Sequence, residues 1–218
     1  MGLALIDICG TIYNSNTTFD FLDYIFNKNK LYKYVRIIFR AKLLIIINYI
    51  LLYMFKYDFI RSSLIKFLYG YSRQELILKA NCFIDEILND KKQINVLNVI
   101  KNIAINNELI LVSSTLDCIA KQVADELCID KYFASELEYN NNICTGKIKK
   151  DYLFLKLDMI QKNGISPLFN VTVSDNISDI ELMKQSMFSY IVVSQKNKKK
   201  WYKKIEKYAL TDYEIIEV

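Results

Sequence analysis

One stretch near the start of the chain, Leu3-Ala4-Leu5-Ile6-Asp7-Ile8-Cys9-Gly10-Thr11, limits the folds open to everything after it. Four apolar residues without alternation predict a strand buried on both faces, the pattern of a parallel sheet. The run then passes straight into a carboxylate. Asp is depleted in strands, and a charge at the mouth of an apolar core is tolerated only when paired, hydrogen-bonded or bound to a metal. Open α/β sheets bind ligands beyond the carboxyl ends of their strands, so Asp7 stands where a nucleophile or metal ligand on a rigid strand tip would stand. Gly10 lets the backbone turn sharply or approach a ligand closely.

Two further strands end in polar groups. Glu108 to Ser113 reads as a second buried strand ending in a small hydroxyl, followed by a helix carrying Ile119, Val123 and Leu127. Phe169 to Val173 is a third, running into Ser174-Asp175-Asn176-Ile177-Ser178-Asp179, two carboxylates astride a strand end and a helix start. Between these two, residues 133–138 and 143–148 flank Asn140-Asn141-Asn142 and predict a hairpin. A helix with Leu153, Lys156, Leu157 and Ile160 follows and closes at Asn163-Gly164. Residues 190–193 and 213–218 read as further strands, with a basic helix over 196–207 between them.

The stretch from Ser15 to Asn106 is helical throughout. Phe21, Leu22, Ile25 and Phe26 recur at helical spacing, and residues 31–68 predict one or two further helices, stopped by Gly70. Ser72-Arg73-Gln74-Glu75 is a capping box, opening a helix with Leu76, Ile77, Ala80, Phe83, Ile84, Ile87 and Leu88 on one face. Ile94, Leu97, Ile100 and Ala104 mark another. Strand, helical insert, then alternating strand and helix describes an α/β protein with a Rossmann-like parallel sheet. Residues 1–14 and 107–218 would form the core and 15–106 a helical cap, packed as a lid over the strand tips.

Composition removes several chemistries. There is no His among 218 residues, so His-based triads, His metal sites and imidazole bases are ruled out. Five cysteines lack any CxxC or zinc-like spacing, which suits free thiols in a reducing compartment. The first residues lack the basic region of a secretory signal, and a cytoplasmic protein is expected. Leu43 to Phe55 is mostly apolar but short of the ~20 residues a span needs; a buried or amphipathic helix is expected there. The lysines at 196, 198, 199, 200, 203 and 204 suit the solvated face of a helix, and with a net charge of only +5 no nucleic-acid partner is expected.

The order of the three tips, with a lysine-bearing helix between the last two, resembles the haloacid dehalogenase superfamily of phosphohydrolases. It is most similar to the phosphoserine-phosphatase-like branch, which carries a helical cap after its first motif. The segments that carry the resemblance are Leu-Ile-Asp7-Ile-Cys9-Gly-Thr11, Leu-Ile-Leu-Val-Ser113-Ser-Thr, and Val-Ser-Asp175-Asn-Ile-Ser-Asp179, with Thr145-Gly146 in the hairpin before the motif lysine. Lys147, Lys149, Lys150 and Lys156 all lie near that motif position; Lys156 fits the helix after the hairpin.

The resemblance implies a Mg²⁺-dependent phosphatase acting on a small phosphorylated metabolite. Asp7 would attack phosphorus to give an aspartyl phosphate, while Ser113 and Lys156 hold the phosphoryl oxygens. Gly10, Thr11, Ser114 and Thr115 would line the substrate site. Asp7, the backbone carbonyl of Cys9 and Asp175 would bind Mg²⁺, with Asp179 completing the acidic site directly or through water and Asn176 able to serve there too. The departure is Cys9, where phosphatases of this superfamily usually carry a second Asp as general acid and base. A thiol is mostly protonated at neutral pH, so slow turnover is expected. Two alternatives remain: a catalytically impaired protein that binds a phosphorylated ligand or partner, and a membrane-peripheral phosphatase of lipid or polyprenyl phosphates that touches the bilayer through its cap.

Overall fold

The computed structural model describes residues 2–166 and 168–218. Seven strands form one sheet in the order β4-β3-β2-β1-β5-β6-β7: β1 (Gly2–Ile6), β2 (Asn107–Leu116), β3 (Lys131–Asn140), β4 (Ile143–Lys150), β5 (Phe169–Ser174), β6 (Ser186–Val193) and β7 (Tyr213–Glu217). All neighbours are parallel except β3 and β4. β1 is central because both its faces are apolar: Ala4, Leu5 and Ile6 are buried. The chain winds outward from β1 through β2 on one side and through β5 on the other. The tips of β1, β2 and β5 therefore meet at the point where strand order reverses, the crevice in which such sheets bind ligands.

The β3–β4 hairpin turns through Asn141 and Asn142, both at positive φ (48° and 66°). That is the requirement of a two-residue type I′ turn, and Asn accepts it.

The helices are α1 (Thr17–Ile25), α2 (Lys30–Ile38), α3 (Lys42–Phe55), α4 (Phe59–Ile65), α5 (Arg73–Phe83), α6 (Ile94–Ile103), α7 (Asp117–Glu126), α8 (Lys156–Lys162), α9 (Ile180–Lys184) and α10 (Lys198–Tyr208). The capping box at Ser72 and Glu75 forms with both of its hydrogen bonds. Residues 31–68 hold three helices, not one or two. Lys56 ends α3 in the left-handed conformation, and the Asp58 side chain caps α4 at the Arg61 amide. Neither break uses Gly or Pro, so the sequence run looked continuous. The helix expected to include Leu153 begins instead at Lys156, after a turn in which Phe154 has φ +60°.

Apolar faces of α1, α4, α5, α6 and α7 share one core with β1 and β2, built on Ile6, Phe21, Leu64, Phe83, Ile100 and Ile119. Residues 70–73 also hydrogen-bond along β4, with Cys144 N–H donating to the Tyr71 carbonyl and Gly70 N–H to that of Cys144. α3 departs from expectation. A buried or amphipathic helix was expected over residues 43–55, but none of the residues of α3 is buried. Its apolar residues point all round the helix, so one neighbouring helix cannot cover them.

Candidate active site

Asp7 follows directly on β1, its N–H donating to the Val173 carbonyl of β5 at 2.9 Å. Its Oδ1 accepts from the Ile8 amide at 2.8 Å and lies 3.0 Å from Lys156 Nζ. Lys156, the first residue of α8, reaches a second acid as well, Asp179 Oδ2 at 2.6 Å. Of the four candidate lysines, it is Lys156 that enters the acidic cluster; Lys147 and Lys149 are exposed and Lys150 pairs with Glu136.

Burial strains the charges here. It pushes the Asp7 carboxyl above the usual carboxylate range, Lys156 opposing it and Asp179 adding to it. Burial also opposes the Lys156 charge, but Asp179 and Asp7 outweigh it and hold the ammonium above its ordinary value. The lysine is a fixed cation at the sheet's carboxyl edge.

Asp175, just beyond β5, faces Asp7. Burial first, and then Asp7, raise its carboxyl to about 7. Thr11 orients it through two bonds: the Thr11 hydroxyl donates to Asp175 Oδ1 at 3.1 Å and accepts from the Asp175 amide at 2.9 Å. The Asp175 carbonyl accepts from the Trp201 indole of α10 at 3.2 Å. Gly10, at φ +77°, is required on two counts. A Cβ there would lie 2.2 Å from Asp175 Oδ2, and its φ belongs to the left-handed region.

Asp179 is committed elsewhere in the cluster, accepting from Ser174 Oγ at 2.6 Å as well as from Lys156. Asn176 caps the short turn after β5, accepting from the Ser178 amide. Ser113 is fully buried in β2 beside Asp7 and accepts from the Thr115 amide at 3.3 Å.

A cleft of about 560 Å³ opens over these tips, lined by Asp7, Cys9, Gly10, Ser114, Thr115 and Asp175 from the sheet side. Thr11, Ser113, Lys156 and Asp179 stand behind it. Further lining residues were not expected at the site from the sequence, among them Asp58 and Arg61, at the cap and in the first turn of α4, and Lys200 and Trp201 of α10. Arg61 is buried and forked onto Asp151, with 2.9 Å to each carboxylate oxygen, while Nη2 donates to the Ser114 carbonyl at 2.6 Å. It ties α4 to the tip of β2. Part of the basic helix expected to be a solvated face thus borders the cleft.

Cys9 Sγ donates to the Ser15 carbonyl at 3.1 Å. Burial, with Asp7 and Asp175 nearby, pushes its thiol up to about 12. At neutral pH it is a donor and not a base.

The donors suit a hard divalent cation. Two buried carboxylates, Asp7 and Asp175, border the cleft; burial disfavours the ionisation of both, and the Asp7 charge adds to it at Asp175, which a cation would relieve. Among the described residues no group of three His, Cys, Asp or Glu side chains forms a metal cage. One or two carboxylates with a backbone carbonyl and water is the arrangement Mg²⁺ favours.

A mostly parallel sheet with an acid-lysine cluster at its switch point defines an α/β protein whose site lies at the carboxyl edge of its strands. The chain belongs to the haloacid dehalogenase-like hydrolase family, whose sequence pattern it matches over residues 4–184. The solved structures share its fold at low identity. A Bordetella pertussis Tohama I protein of unknown function superposes with a TM-score of 0.69 at 14% identity, covering 98% of this chain and 97% of the other. A phosphoserine phosphatase solved as a phospho-aspartyl intermediate analogue gives 0.59 at 17%, covering 95% and 98%. Cytosolic 5′-nucleotidase IIIB bound to cytidine gives 0.60 at 10%, covering 99% and 80%. A comparison with curated protein sequences finds no match.

Proposed function

We propose that this chain is a Mg²⁺-dependent phosphatase of small phosphorylated metabolites that works through an aspartyl phosphate on Asp7 and turns over slowly. The observation that carries the reading is the buried Lys156 ammonium held between Asp7 and Asp179, directly behind the Asp7 wall of a cleft large enough for a small ligand.

Phosphoryl transfer needs an in-line nucleophile and positive charge around the nonbridging oxygens. An Asp7 oxygen would form the new bond to phosphorus as the bond to the leaving oxygen breaks. Lys156 and Ser113 would hold the phosphoryl oxygens. Asp179 and Ser174 position the lysine; Thr11 and Gly10 position Asp175. Mg²⁺ bound by Asp7, Asp175 and the Cys9 carbonyl would supply further positive charge to the same oxygens.

Cys9 limits both proton transfers. A thiol raised to about 12 is a weak acid for an alkoxide leaving group and is rarely ionised to take a proton from water. Leaving groups that need no proton would form the aspartyl phosphate readily, and its hydrolysis would then be slow. The test is Mg²⁺-dependent release of alcohol from aryl and metabolite phosphomonoesters by the wild type and by Asp7→Asn. Release by the wild type alone is expected; equal release by a folded Asp7→Asn protein refutes the reading. Ligand binding without release by either would favour the phosphate-binding alternative.

A further inference from the structure

We propose that α2 and α3 seat this protein on the surface of an anionic phospholipid bilayer. The 14 residues of α3 include no buried one: Leu43 is 69% exposed, Tyr49 67% and Tyr53 74%, with Ile46, Ile50, Met54 and Phe55 exposed beside them. Leu31, Tyr34 and Ile37 of α2 extend the patch. Monomeric soluble proteins rarely leave a contiguous apolar surface of this kind open.

Length and charge decide what covers it. At 1.5 Å per residue α3 is about 21 Å long, short of the ~30 Å hydrocarbon core. Among the described residues no single helix is long and apolar enough to cross; α2 and α3 reach that length and composition only together, and they are bent by 76°. A bent pair with exposed Tyr34, Tyr49, Tyr53 and Tyr57 suits the headgroup boundary, where aromatic rings with a polar tip settle.

Between Asp23 and Asp58 the sequence has no acid, but it has Lys28, Lys30, Lys33, Arg36, Arg40, Lys42 and Lys56. Arg36 is used by Asp23; the other six are exposed. A second copy docking isologously on this patch would bring like charges together. An anionic leaflet complements them.

The seat is firmly joined to the enzyme. Asn48 of α3 donates to Asp58 Oδ1 at 3.1 Å and accepts from the Ile60 amide at 3.0 Å, and Phe39 packs edge-on against Phe59. Asp58 lines the cleft, so the docked face adjoins the catalytic opening.

The experiment is flotation of the purified chain with vesicles of phosphatidylcholine alone or mixed with phosphatidylglycerol, which reads binding and not turnover. The wild type is expected to float with the anionic vesicles and to lose most of that binding at high salt. The double variant Ile46→Glu with Tyr53→Glu, both exposed and remote from the cleft, should lower the ratio of bound to free protein at least about tenfold with an unchanged circular dichroism spectrum. Lys30→Glu with Lys42→Glu should weaken binding to anionic vesicles selectively. Three results would overturn the proposal: no flotation with anionic vesicles, flotation unaffected by both variants, or an α3-dependent dimer in sedimentation that leaves lipid unbound.

Discussion

Replacing Cys9 with Asp should speed this protein up. With burial and the neighbouring carboxylates pushing its thiol up to about 12, Cys9 is rarely a thiolate at neutral pH, and the proton it holds is directed at the Ser15 carbonyl. A carboxylate in the same place, close to Asp7 and Asp175, would be ionised far more often and would be available to take a proton from the water attacking the aspartyl phosphate. General acid–base help is worth about 10²- to 10⁴-fold. Part of that is offset because a thiolate, when it forms, is the stronger base, so a gain of about 10- to 100-fold in steady-state turnover is expected. The assay is rapid-mixing kinetics with an aryl phosphate and Mg²⁺. Wild type should release close to one equivalent of phenol in a burst and then turn over slowly; Cys9→Asp should lose the burst as the slow phase rises to meet it. Cys9→Ser should gain nothing. A folded, metal-binding Cys9→Asp protein with unchanged turnover would refute this account of the slow step.

The acid-lysine cluster should be visible in stability as well. Lys156→Met leaves Asp7 and Asp179 buried without their cation, and without added metal it should cost about 3–5 kcal/mol by urea denaturation; an unchanged midpoint would mean the three groups are not coupled as described. Thr11→Val removes both of the bonds that orient Asp175 and should weaken Mg²⁺ binding about 10- to 100-fold in calorimetry. Asp175→Ala should weaken it further, and unchanged binding would move the metal elsewhere.

The catalytic edge was legible because three predicted strands, two of them unalternating apolar runs, each ended in a polar group at the sheet's carboxyl edge. Asp7, Ser113 and Asp175 followed from that placement, and the family pattern supplied Lys156. The partners that orient these groups were not legible. Thr11 and Asp175 are 164 residues apart in sequence, and nothing in either segment announces a bond between them; the same holds for Arg61 and Asp151. Nothing in the segment Ser174 to Asp179 marks Ser174 as the residue whose hydroxyl holds Asp179. The apolar character of α3 was plain, but hydrophobicity says that a surface avoids water and not what covers it. Its neighbours within the chain do not cover it.

The central claim is that Asp7 carries the phosphoryl group. It is tested most directly by mixing the protein with Mg²⁺ and an aryl phosphate, quenching in acid within the burst, and mapping the modification by peptide mass spectrometry. A phosphoryl group on the peptide containing Asp7, close to stoichiometric in wild type, much reduced in Cys9→Asp and lost in Asp7→Asn, is the result predicted. Phosphate release by a wild-type protein that never carries the label, or a label that persists in Asp7→Asn, would contradict it.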